Sequence, residues 1–124
     1  MIKRIIDIDN YWKVIVYYNI DYNLFHIITS SLKQAGCNDY QIDSIYENMF
    51  HKHSKAVTIS NINKHISVVL FNKHHYYNDY INSIIHEAEH IKQSMLESYN
   101  VDDNGEAPAY TVGYVGMKLL MYLI

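Results

Sequence analysis

The residues of this chain best suited to chemistry are Ile85-His86-Glu87-Ala88-Glu89-His90-Ile91. On a helix, four residues turn the chain through about 400° and advance it about 6 Å, so His86 and His90 leave one face and their imidazoles can meet a single ion. That fills two of the four tetrahedral positions of zinc. Glu87, rotated about 100° from His86, stays off the metal but within reach of a water bound to it. Zinc lowers the pKa of such a water from about 16 to about 7, and a neighbouring glutamate can take the proton as the water attacks a carbonyl. The plainer reading is a solvated helix face that carries two histidines and two glutamates by chance.

A catalytic zinc takes three protein ligands and keeps one position open. No histidine follows His90, and the later acids are Glu97, Asp102, Asp103 and Glu106. Glu97 lies seven residues beyond His90 on the same rigid helix, about 10 Å along it, too far for the same ion. Glu106 opens the next helix across a turn that folds that helix back. It is the preferred third ligand, with Asp102 and Asp103 behind it. Glu106, Ala109, Tyr110, Gly113 and Gly116 recur at spacings of three and four, a face of little bulk that suits a close helix crossing. Tyr110, one turn after Glu106, is a candidate to donate a hydrogen bond to a developing oxyanion or to orient Glu106.

The elements that must hold these residues follow from periodicity. Residues 11–19, rich in β-branched and aromatic side chains, read as a strand. Asp21 can cap a helix over about 22–35 with Gly36 after it, and Asp39 can cap a second through about His51. The stretches 56–61 and 64–72 alternate as strands, with a link short enough for a hairpin. From about Tyr76 to Asn100, apolar residues at spacings of three and four make one long amphipathic helix, and Pro108 sits in the first turn of a last helix. The expected fold is α+β in the order β-α-α-β-β-α-α, with helices on one face of a three-stranded sheet and the histidines on the penultimate helix.

Bulk properties narrow the function. A chain of 124 residues has room for one domain, 1–124, and 49% hydrophobic with 19% charged residues is an ordinary globular balance. A net charge of -3 leaves no basic surplus for a phosphate backbone, so nucleic acid is not an expected partner. One cysteine, Cys37, closes no internal disulfide. Asp7 and Asp9 interrupt what would be the apolar core of an export signal. The apolar stretch from Tyr114 is shorter than the roughly 20 residues of a spanning helix. The expectation is a cytoplasmic protein with no membrane partner, in which the apolar run Val112–Ile124 is a core helix or half of a homo-oligomer contact. The crowding of Ile, Asn, Tyr and Lys points to an AT-rich genome, such as a low-GC bacterium or its phage.

Other clusters have plainer readings. His51 and His53 end a predicted helix, where cationic side chains favour the C-terminus. His74 and His75 read as solvated loop residues, and Cys37 lacks a basic neighbour that would activate a thiol.

"HEAEH" followed by the glutamate of "GEAPAY" resembles the zincin metallopeptidases of gluzincin type, over about residues 56–124. In size the chain is similar to the minigluzincins, and the motif with a later glutamate also resembles the ImmA/IrrE-type peptidases of mobile elements and phages. The resemblance implies a small zincin-like domain that hydrolyses a peptide bond in a peptide or protein substrate. Its zinc would be held by His86, His90 and Glu106, with Glu87 as general base. The competing expectation is a catalytically silent zincin-fold structural or regulatory protein, phage-encoded, with or without its metal. The intact Glu87 favours the first, and the scarcity of loops to build a cleft favours the second.

Overall fold

The computed structural model describes residues 1–123. The chain opens with a hairpin of β1 (Ile2–Ile8) and β2 (Trp12–Tyr18). Its turn places Asp9 and Asn10 at φ 54° and 55°, and the Tyr11 N–H donates to the Ile8 carbonyl at 3.0 Å. Two successive residues at positive φ match the twist of an antiparallel pair, and Asp and Asn tolerate that conformation. A short 3₁₀ turn, Tyr22–Leu24, capped by the Asp21 side chain, leads into α1 (Phe25–Gln34). The cap of α2 (Asp39–Tyr46) is Asn38, not Asp39: Asn38 and Gln41 exchange side-chain to backbone hydrogen bonds, both 2.8 Å. A π-helical turn over Glu47–His51 extends α2.

The antiparallel pair β3 (Ala56–Asn61) and β4 (Ile66–Phe71) comes next. The long α3 (Tyr77–Tyr99) follows and ends on Asn100 in the left-handed region, and α4 (Glu106–Leu123) completes the order. Ile124, the last residue of the apolar run, lies outside the described residues.

The fold is α+β, but its sheet has four strands in the order β1-β2-β4-β3, not three. The strand missed from sequence is β1. It lies at an edge, with Lys3, Arg4, Ile5 and Asp7 exposed and only Ile6 and Ile8 buried. An edge strand with a solvated face need not read as a continuous apolar run.

Helices also cover both faces, not one. The central strands β2 and β4 run parallel and are buried almost throughout, as strands covered on both sides must be. Trp12, Val14, Val16, Tyr18, Val69 and Phe71 face α3 and α4. The intervening Ile15, Tyr17, Ile66, Val68 and Leu70 face α1, α2 and the π turn. Period-two alternation thus splits one sheet between two cores.

On the first of these cores α4 is pinned from two sides. The Tyr18 hydroxyl donates to the Leu119 carbonyl at 2.5 Å, and burial pushes that phenol well above its ordinary range. A Cβ built on Gly116 would lie 3.8 Å from the Ala88 Cβ, ordinary contact, so Gly116 marks where α4 meets the middle of α3. Among the described residues, no helix is long and apolar enough to cross a membrane.

Candidate metal centre

His86 and His90 stand on the exposed side of α3, one turn apart. Their Nε2 atoms are 3.2 Å apart and their rings lie near perpendicular, with centroids 4.8 Å apart. Two nitrogens each about 2.05 Å from one zinc and separated by that distance subtend roughly 100° at the ion, close to the tetrahedral angle. The separation of the two nitrogens is therefore that of two ligands of one metal ion. The same atoms also suit a hydrogen bond between a protonated and an unprotonated nitrogen.

Glu87 differs sharply from its neighbours. The His86 side chain is 70% exposed, that of Glu87 only 5%. The rotation of about 100° between successive helix residues turns Glu87 towards β3, where Thr58 Oγ1 donates to its Oε1 at 2.9 Å. Its other oxygen, Oε2, lies 3.9 Å from His86 Nε2. Among the described residues no lysine or arginine nitrogen comes within 4.0 Å of this carboxylate. A buried carboxylate with one hydroxyl donor and no fixed cation is costly, and positive charge beside the imidazoles would offset that cost. A hollow of about 400 Å³, lined by Lys55, Ala56, Asp79, Asn82, Ser83, His86 and Glu87, opens next to both residues.

Glu89 fares differently. The motif also reads His-x-x-Glu-His, which puts a second glutamate beside the second histidine and offers a rival base. Sequence reasoning passed over it, although the signal is in the same five residues. In the fold its Oε1 accepts from Lys92 Nζ at 2.6 Å, and Lys92 also donates to Asp103 Oδ1 at 2.7 Å. Burial opposes the Lys92 charge, but the hydrogen bonds to Asp103 and Glu89 outweigh it and hold the ammonium above its ordinary range. Glu89 and Asp103 are thus committed to latching the turn after α3, whereas Glu87, the other carboxylate of the motif, has no lysine or arginine nitrogen within 4.0 Å among the described residues.

Glu106 and Tyr110 are not brought to the histidines. Both are exposed, at the start of α4. Glu106 precedes Gly116 by ten residues, about 15 Å of helix, and it is Gly116 that meets Ala88 between the two histidines. Tyr110 lies about 9 Å from that crossing along α4 and is 75% exposed. Nor does Asp102 join the pair: among the described residues no group of three His, Cys, Asp or Glu side chains is arranged to hold a metal ion. The small-residue face is real at Gly116, whereas a Cβ on Gly113 would meet nothing within 4 Å. That open side forms an apolar groove of about 320 Å³ walled by Ile81, Ile84, Ile85, Val112 and Leu120.

The other clusters behave as structural parts. His51 Nδ1 pairs with Glu47 at 2.5 Å, and burial pushes the Cys37 thiol up, away from a reactive thiolate. His74 is less solvated than expected. Its Nδ1 donates to the Asn72 carbonyl at 2.7 Å, its Nε2 lies 2.8 Å from Ser83 Oγ, and its ring stacks on Tyr80. Comparison with protein-family models, curated proteins and solved structures finds no match to this chain.

Proposed function

We propose that this chain is a small metal-dependent hydrolase of zincin type, in which His86 and His90 hold a zinc ion and Glu87 is the general base towards a peptide bond. The observation that carries the reading is Glu87. A carboxylate buried on the same helix turn as an exposed histidine pair, with no lysine or arginine nitrogen within 4.0 Å among the described residues, is the arrangement a bound metal and its water would complete. When bound, zinc supplies a water acidic enough to lose its proton near neutral pH.

The chain's own residues do the rest. Thr58 holds Glu87 Oε1, which fixes the carboxylate rotamer and leaves Oε2 on the histidine side to receive a proton. The imidazoles, one turn apart on a rigid helix, would hold the ion on the side of Glu87 that carries this oxygen. The hollow between α3 and the start of β3 gives an extended segment access to both.

A second reading, a scaffold that keeps the histidines without turnover, is favoured by one observation: among the described residues no third His, Cys, Asp or Glu is arranged with the pair to hold a metal ion. Elemental analysis together with cleavage of a peptide library separates the two. Glu87→Gln should leave zinc content unchanged and lower cleavage by about a hundredfold or more. Loss of zinc in Glu87→Gln would make Glu87 a ligand, and zinc-loaded protein that cleaves nothing would leave the silent scaffold.

A further inference from the structure

Past the Lys55–Asp79 pair, whose charged atoms are 3.9 Å apart, lies a larger cavity of about 490 Å³. Lys55 and Asp79 line both hollows, so this cavity abuts the one beside His86 and Glu87. Its floor is apolar and aromatic: Ile20 and Met49 are buried, and the rings of Tyr22 and Phe50 lie 4.8 Å apart. The floor is also braced. The Asn72 amide donates to the carbonyls of Met49 at 2.9 Å and Ser54 at 2.7 Å, and its oxygen accepts from the Tyr22 hydroxyl. His74, with both ring nitrogens engaged, is a fixed wall.

The rim has the opposite charge balance from the chain. Overall the chain carries 10 Lys and Arg against 13 Asp and Glu. Around the cavity Lys55 and Lys73 stand against one acid, Asp79, with the imidazoles of His53 and His75 beside them. Among the described residues Lys73 has no carboxylate within 4.0 Å. Two ammonium groups and one carboxylate leave a single formal positive charge over an apolar floor. That matches a singly charged carboxylate better than a doubly charged phosphate. The volume lies within the range of small-molecule sites.

We propose that this cavity binds a small organic carboxylate with an aromatic or aliphatic body, its body on the Tyr22–Phe50 floor and its carboxylate at Lys55 and Lys73. This does not depend on metal or hydrolysis. The test is an amide chemical-shift titration of the metal-free full chain with N-acetyl-L-phenylalanine, its C-terminal amide and phenyl phosphate. The acid should shift signals around Ser54–Lys55 and Asn72–Tyr76, and the amide should bind at least about tenfold more weakly. Lys55→Gln and Lys73→Gln, both at exposed positions, should each weaken the acid about fivefold or more at unchanged melting temperature. Equal binding of acid and amide, tighter binding of phenyl phosphate, shifts confined to the α3–α4 groove, or no shift up to about 10 mM acid would each overturn the proposal.

Discussion

Replacing Glu106 by alanine sets the expectation read from the sequence against the geometry of the fold. If Glu106 were the third zinc ligand, its loss would weaken zinc severely. In the fold Ala88, midway between His86 and His90, faces Gly116, and Glu106 lies ten residues earlier on the same helix. At 1.5 Å per residue that is about 15 Å of separation along α4, beyond the reach of a glutamate side chain. Glu106→Ala should therefore change zinc affinity by no more than about twofold, whereas His86→Ala or His90→Ala removes one of two nitrogens 3.2 Å apart and should cost about a hundredfold or more. The assay is competition with a chromophoric chelator, paired with urea unfolding with and without zinc. Binding to the native chain alone should raise folding stability by about 2.7 kcal/mol at a free zinc concentration one hundred times Kd, in the parent and in Glu106→Ala, and not in the histidine variants. A tenfold or greater loss of affinity in Glu106→Ala would refute the placement of α4, and a parent melt that zinc does not move would refute the site.

Leu119 is fully buried between α4 and the sheet, so Leu119→Ala should cost about 2–5 kcal/mol by urea titration. A cost below about 1 kcal/mol would mean that α4 does not pack there. Gly116→Ala places a methyl at ordinary contact distance from Ala88 in a helix interior, and should stabilise by about 0.5–1 kcal/mol. A loss instead would mean that α3 and α4 pack more closely than described. The folded Lys92 ammonium is held above its ordinary value of 10.5, so its stabilisation is complete below that pH and disappears as pH rises through the folded pKa. Stability should therefore fall more steeply above about pH 10.5 in the parent than in Lys92→Met, and parallel curves in the two proteins would contradict the latch.

Much of the local structure was legible because it depends on residues close in sequence. The spacing of His86 and His90, the apolar stripe from Tyr77 to Leu96 and the alternation over Ala56–Asn61 each set an angle about one local axis, and α3 and β3 follow. The hairpin of β3 and β4 needed only a short link. The edge strand β1 was not legible, since charged residues on its open face interrupt the pattern and its Asp-Asn turn lacks the usual glycine. Nor was the second helical layer: β2 and β4 are apolar at every position but Lys13 and Ser67, and so nearly continuous a run names no particular partner for either face.

At the candidate site the division is the same. Sequence alone determined that two imidazoles share one face of a helix and that Glu87 points elsewhere. Tertiary structure decided that Glu87 is buried against Thr58, twenty-nine residues away, that Glu89 belongs to Lys92, and that Glu106 stays at the far end of α4. Rotation about a helix axis is set by residue count, whereas the level at which one helix crosses another is set by which small side chain lets the backbones approach. Here that residue is Gly116, and Gly113, with the same side chain and nothing opposite it, is not.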